Sequence, residues 1–283
     1  MFCSCVVNIP LYGKFCVCRK LRREVLAAVN HAHRLFSAAF CTQQNPPPRN
    51  CRVPSVFPRC IDSTILATLD SIRTNISDGT ERVAAMAAYI LNFCANNCNP
   101  KVRYYASNIQ LCGHIDASYL SVSKARSRAA AYFYLSTDNN ALLPPNHKSK
   151  LLARPNGAVH VMSTVMQQVL LSATEAEVGA TFYSCQYAVP LRNTLADLGH
   201  VQGEILIITD NECCKGILNN TIKQRWSKAM DMRFYWVKFR IAQGQFKLLW
   251  RSGRENIADY FTKLHAQVHH KNTRPLYVIN SLT

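Results

Sequence analysis

A chain of 283 residues that is 48% hydrophobic and 10% aromatic can close one sizeable core with a smaller appendage, which excludes wholesale disorder. Its 33 Lys and Arg against 16 Asp and Glu give a net charge of +17, an excess that folding does not need and that points to a polyanion, nucleic acid ahead of an acidic membrane surface. The 13 cysteines are odd in number and scattered through apolar runs, as at Cys94, Cys112 and Cys185, which fits reduced thiols of an intracellular protein and excludes a disulfide framework.

In chain order, the first residues carry neither a secretory signal nor an unbroken membrane span, because Pro10 and Lys14 interrupt the apolar stretch. Cys3 with Cys5 and Cys16 with Cys18 are each separated by one residue, whereas structural zinc pairs leave two to four, so zinc is not expected. "LRREVLAAVNHAHRLFSAAF" has the spacing of a basic amphipathic helix, and "TQQNPPPRNCRVPSVFP" is a Pro-rich boundary. "STILATLDSIRTNI" and "DGTERVAAMAAYILNFCANN" read as two helices, the second capped by Asp78 or Thr80.

The pattern then changes. "RYYASNIQLCGHIDAS", "AAAYFYLS" and "GAVHVMSTVMQ" read as three strands joined by short loops. "SATEAEVGATFYSCQYAVPLRNTLADLGH" has helical spacing, with Val178, Phe182 and Cys185 on one face, Gly199 as a stop, and Pro190 expected to kink or split it. After it come a strand "EILIITD", a short helix "NECCKGILNN", a longer helix "KAMDMRFYWVKFRIAQG", a strand "QFKLLWRS" and a last helix "ENIADYFTK". In the longer helix Trp236 shares an apolar stripe with Met232 and Phe239. This order gives a mixed α/β sheet with an antiparallel start.

Scarce acids sit at telling places. Asp116 and Asp210 end strands, Glu177 lies in the first turns of the long helix, and Asp259 lies in the last one. If the two strands are neighbours, their carboxylates leave one end of the sheet together. Packed carboxylates repel, which divalent cations can compensate; hard Mg²⁺ takes such oxygen ligands. Two ions about 4 Å apart activate water and stabilise the leaving oxygen of a phosphodiester. Taken singly, each acid has a plainer role: Asp210 can cap the helix after it, and Glu175 and Glu177 can complement a helix dipole. Residues two apart on a helix point about 200° apart, so one of Glu175 and Glu177 at most faces the ions.

Five ordered stretches, "HIDASYLSVSKARSRAAAYFYLS", "LSATEAEVGATF", "IITDNECCKGI", "KQRWSKAMDMRFYWVKFRIAQGQFKLLW" and "ENIADYFTKLH", together resemble the ribonuclease H domain of copia-type LTR retrotransposon polyproteins. The tail "AQVHHKNTRPLY" and the connecting stretch "AAMAAYILNFCANNCNPKVRYYAS" extend the likeness over roughly residues 62–278, while residues 1–60 match nothing in it. The resemblance implies a ribonuclease H-like α/β fold: three antiparallel strands, then parallel strands, flanked by helices, with a small helical N-terminal appendage. It divides the chain into a leader (1–60), a helical connection (61–105), a ribonuclease H-like domain (106–266) and a tail (267–283). It implies an endonuclease that hydrolyses RNA in RNA–DNA hybrids with two Mg²⁺ or Mn²⁺ ions. Its metal ligands map onto Asp116, Glu177 rather than Glu175, Asp210 and Asp259. A polymerase domain in cis or in trans, no membrane, and a cytoplasmic particle or the nucleus follow as partners and place.

Lys124, Arg126 and Arg128, just after the first acid's strand, and Lys223, Arg225 and Lys228, flanking the long helix, are the expected phosphate contacts. "SVSKARSR" is a candidate hairpin loop reaching the hybrid, and Trp226, Trp236 and Trp250 can stack on bases, with Trp236 better placed in the core. Some features depart from the wider pattern. "RSGRENIA" carries no His that would help product release, no Asp-Asp pair supports polymerase activity, and no integrase-type zinc module is present. His269 and His270 read as solvated. Two other readings stand beside this one: a non-catalytic nucleic-acid-binding remnant of a retroelement polyprotein, and a strand-transfer nuclease of the same fold. The latter ranks last because such sites end their acidic triad with Glu.

Overall fold

The computed structural model describes residues 6–9, 13–16, 62–75, 80–97, 100–137, 156–222 and 232–280. The chain forms two compact units, residues 1–101 with 278–283, and residues 102–277. Several expectations lie outside the described residues: the first amphipathic helix, the side chains of the four paired cysteines, Asp78, Lys223, Arg225, Trp226 and Lys228.

In the first unit, β1 (Val6–Ile9) and β2 (Gly13–Cys16) form an antiparallel hairpin. A 3-10 turn at Ser63–Ile65, capped by Asp62 accepting from the Thr64 amide at 3.1 Å, leads into α1 (Leu66–Asn75). α1 packs on α2 (Glu81–Asn96), which starts at Thr80 without a side-chain cap bond. β3 (Pro100–Lys101) pairs antiparallel with β9 (Ile279–Asn280).

The second unit is built on a five-stranded sheet. β4 (Gln110–Val122), β5 (Arg126–Ser136) and β6 (Ala158–Val165) form an antiparallel meander. β7 (Ile205–Thr209) runs parallel to β4, and β8 (Phe246–Trp250) parallel to β7, giving the order β6-β5-β4-β7-β8. This is the ribonuclease H-like arrangement, three antiparallel strands followed by parallel ones. β5 is buried on both faces, which its near-continuous run of Ala, Tyr and Phe requires. Opposite Phe133 stands Gly113, where a Cβ would lie 2.6 Å from the phenyl ring, so only glycine lets these two central strands pair.

α3 (Ala173–Asp197) crosses β4 and β5. Its start is fixed reciprocally: Ser172 Oγ accepts from the Glu175 amide at 3.2 Å, while Glu175 Oε2 accepts from the Leu171 amide at 2.8 Å. Small buried residues, Ala176, Ala180, Cys185 and Ala188, bring the helix close to Leu111, Ile115, Phe133 and Met162. Gly199, at φ +90°, ends it. α4 (Glu212–Leu218) and α5 (Met232–Ala242) pack beside α3, and α6 (Gln267–Thr273) follows the last strand of the main sheet.

Three expectations change. α3 is not split at Pro190; the proline and Gln186, whose carbonyl it deprives of its helical donor, both lie on the exposed side of the helix. In α5 the buried side is Phe234 and Val237, with Trp236 packed edge-on against Phe182 at 5.4 Å; Met232 is 80% and Phe239 63% exposed. That helix carries apolar residues on most of its circumference, and its packing, chiefly against α3, decides which of them are buried. The last helix resolves into two 3-10 turns, Gly253–Glu255 and Asp259–Phe261.

Candidate metal centre

Register places two of the acids. Cys112 lies opposite Leu206 and His114 opposite Ile208. The same register, carried two residues further, brings Asp116 level with Asp210 just past the end of β7. Asp210 is not spent on capping: Asn211 Oδ1 accepts from the Cys214 amide at 2.8 Å and caps α4 in its place. Trp250 Nε1 donates to the Asp210 carbonyl at 2.9 Å, which ties the end of β8 to the same point.

Glu177 joins from α3. It is buried, and its Oε1 accepts from the Ala117 amide at 3.3 Å. One carboxylate oxygen from each of Asp116, Glu177 and Asp210 lies within 4.8 Å of the others. Glu175 stays at the helix start, bonded to Leu171.

Asp259 opens the second 3-10 turn, which is clamped on the opposite face of the sheet. Ser118 Oγ donates to the Thr262 carbonyl at 3.0 Å, Ser163 Oγ donates to the Phe261 carbonyl at 2.8 Å, and the Phe261 ring stacks on Tyr132 at 5.9 Å. The Asp259 carboxylate stands outside the group of three. It is 41% exposed and holds Lys263 Nζ at 2.6 Å.

Burial first, and then the charges of Asp259 and Asp210, push the Asp116 carboxyl up to about 7. Burial, followed by the charges of Asp116 and Asp210, pushes Glu177 up to about 9. Asp210 is raised too, chiefly by burial. His114, on the same strand face as Asp116, is driven down to about 3 by burial and stays neutral, so it supplies no compensating charge. Asp116 Oδ2 and Glu177 Oε2 are buried without a hydrogen-bond partner among the described residues. Buried acceptors left unpaired are costly, and two of the three grouped carboxylates carry one. An all-oxygen, anionic donor set of this kind fits a hard divalent cation such as Mg²⁺ or Mn²⁺.

Two residues escaped the sequence reading. Buried Asn256 donates from Nδ2 to the Ile115 carbonyl at 2.8 Å and to Asp116 Oδ1 at 3.5 Å, and its Oδ1 accepts from the Ala258 amide at 3.1 Å. It thereby joins the strand bearing Asp116 to the turn bearing Asp259. Lys263 is the other. No local pattern marks either; both are defined by contacts made in space.

The basic residues divide. Lys124 is exposed in the turn of the β4–β5 hairpin, beyond Asp116, and Arg126 is half-buried at its base. Arg128 does not share that surface: it is buried, and its guanidinium donates to Ser163 Oγ at 3.1 Å. A phosphate at the surface cannot reach it there. The register of β4 against β5 shifts between Ser118 and Val122, just before the hairpin turn.

A ribonuclease H-like sheet with a carboxylate group fit for a divalent metal thus defines the class. No family model matches the chain. Among curated proteins it is 30% identical over 122 residues to the retrovirus-related Pol polyprotein from transposon TNT 1-94 of Nicotiana tabacum, covering 42% of this chain and 9% of that polyprotein. The retrotransposon resemblance read in the sequence is borne out by this relative, although the chain spans only a small part of its length. Solved structures with partial likeness include LC11-RNase H1 isolated from compost, at 12% identity and TM-score 0.39, covering 54% of this chain and 92% of that one. Another is the foamy viral protease-reverse transcriptase in complex with RNA/DNA hybrid, at 11% identity and TM-score 0.34, covering 62% of this chain and 20% of that one. The fold rests on strand order and register, not on these superpositions. Among the described residues no helix is long and apolar enough to cross a membrane.

Proposed function

We propose that this chain is a metal-dependent ribonuclease H that cleaves RNA within RNA–DNA hybrids, with Asp116, Glu177, Asp210 and Asp259 holding two Mg²⁺ or Mn²⁺ ions. The observation that carries this reading is that carboxylate oxygens of Asp116, Glu177 and Asp210 lie within 4.8 Å of one another, in residues two of which carry a buried oxygen without a hydrogen-bond partner among the described residues. Bound ions would supply the activation of water and the neutralisation of charge at the scissile phosphate.

The chain's own groups do the rest. Asp116 and Asp210, level on neighbouring parallel strands, present donors from the sheet. Glu177 keeps one oxygen on the Ala117 amide and offers the other to an ion. Asn256 orients Asp116. Lys124 and Arg126, at the hairpin beyond the carboxylates, hold the phosphate backbone and make binding salt-dependent. Lys223, Arg225 and Lys228 would extend that contact. Recognition of the 2′-OH would separate RNA from DNA. Residues 106–266 would form the nuclease domain, with a polymerase domain in cis or in trans.

The test is cleavage of a labelled RNA–DNA hybrid by the purified chain with Mg²⁺, with Mn²⁺ and with chelator, beside Asp210→Asn. Metal-dependent cleavage of the RNA strand, lost in the variant, is the expected result. A folded chain that binds hybrid yet turns nothing over with either metal would instead make it a non-catalytic binding remnant.

A further inference from the structure

The four carboxylates are not equivalent. Asp116 and Glu177 are buried and Asp210 lies beside them, whereas Asp259 is half-exposed and already carries a cation, the ammonium of Lys263 at 2.6 Å. We propose that Lys263 competes with a divalent cation for Asp259, so that one ion binds tightly at Asp116, Glu177 and Asp210 and a second binds more weakly where Lys263 must give way. The inference rests on the metal-centre reading above.

Three features favour competition over simple surface pairing. The backbone just before Lys263 is anchored on two strands of the sheet, through the Thr262 carbonyl to Ser118 on β4 and the Phe261 carbonyl to Ser163 on β6, so the base of the lysine is held at the site. The side chain itself is 53% exposed and can swing into solvent without opening the core. The ammonium also lies in the field of more than its partner: Asp259 stabilises it first, and Asp116 and Asp210 add to the attraction. A monovalent and a divalent cation at one carboxylate repel each other. Lys263 therefore both lowers the repulsion among the acids and opposes the ion closest to Asp259.

Mn²⁺ titration of the full chain, following the paramagnetic resonance signal of the free ion, tests this with wild type, Lys263→Gln, Lys263→Arg and Asp210→Asn. In Lys263→Gln a weaker class of site should tighten by about three- to ten-fold, or become visible, while the tighter class stays within about two-fold. Lys263→Arg keeps the charge and should follow wild type, and Asp210→Asn should lose the tighter class. A weaker class left unchanged or weakened in Lys263→Gln overturns the competition while leaving the metal centre standing. No Mn²⁺ bound to wild type overturns both.

Discussion

The Ala117 amide donates to Glu177 Oε1 at 3.3 Å, so a helix carboxylate is locked to the strand residue that follows Asp116. One oxygen of Glu177 is thereby committed to the backbone, and the other, Oε2, is the buried atom without a partner. Glu177→Gln can keep the bond to Ala117 through its amide oxygen but removes the anionic donor. It should leave the fold intact and lower hybrid cleavage by at least about 100-fold, since an ion contributes several kcal/mol at such a site. Cleavage within about three-fold of wild type would remove Glu177 from the site.

The raised carboxyls make stability depend on pH. An ordinary carboxyl titrates near 4 in an unfolded chain, whereas Asp116 and Glu177 sit at about 7 and about 9 in the fold. Between those limits the native state holds more protons than the unfolded one, so this contribution to stability is whole below about pH 4 and is lost as pH rises through the folded values. In chelator, urea unfolding of wild type should therefore weaken from about pH 5 to about pH 9 relative to Glu177→Gln, and Mn²⁺ should flatten the difference. A difference that is flat without metal would show that Glu177 is not held protonated.

What the sequence made legible was what depends on short range. Asp116 and Asp210 could be found because each follows an apolar run; Asp210 stands just past β7 as expected, whereas Asp116 does not end its strand, since β4 runs on to Val122, and it is the parallel register that sets the two level. Helical pitch showed that Glu175 and Glu177 diverge, the family resemblance picked Glu177, and the packing of α3 on β4 is what brings Glu177 to Asp116 and leaves Glu175 at the helix start. The rest was hidden for physical reasons. Arg128 follows "SKARS" and reads as one more surface cation, yet β5 is buried on both faces and draws its guanidinium inward to Ser163. Pro190 reads as a helix breaker, yet it and Gln186, four residues before it, are exposed on a helix that continues to Asp197. Phe239 reads as core, yet the side of its helix that packs, chiefly against α3, is the one bearing Phe234 and Val237.

Asn256 was equally hidden, and its contacts make a stability prediction. Its side chain serves the Ile115 carbonyl, 141 residues away in sequence, and the Ala258 amide, both through short bonds in a buried setting. Asn256→Ala leaves both groups short of a partner and should cost about 1–3 kcal/mol in urea unfolding. It should also weaken Mn²⁺ binding, because Asp116 loses its tie to the turn bearing Asp259. A loss below about 0.5 kcal/mol with unchanged Mn²⁺ affinity would make Asn256 a bystander.

Gly253 offers a way to disturb Asp210 without removing a charge. A Cβ at this position would lie 2.9 Å from Asp210 Oδ2. Gly253 is not among the glycines with positive φ, so alanine is compatible with its backbone and the conflict falls on the carboxylate alone. Gly253→Ala should therefore leave urea stability within about 0.5 kcal/mol, yet weaken Mn²⁺ binding and hybrid cleavage by roughly ten-fold, as a displaced ligand does. Gly203→Ala, whose Cβ would meet nothing within 4 Å, serves as the neutral comparison. If Gly253→Ala bound Mn²⁺ as tightly as Gly203→Ala, the Asp210 oxygen beside it would not be the one that holds the ion. The donor would then have to be its other carboxylate oxygen, with Gly253 left as no more than a close neighbour.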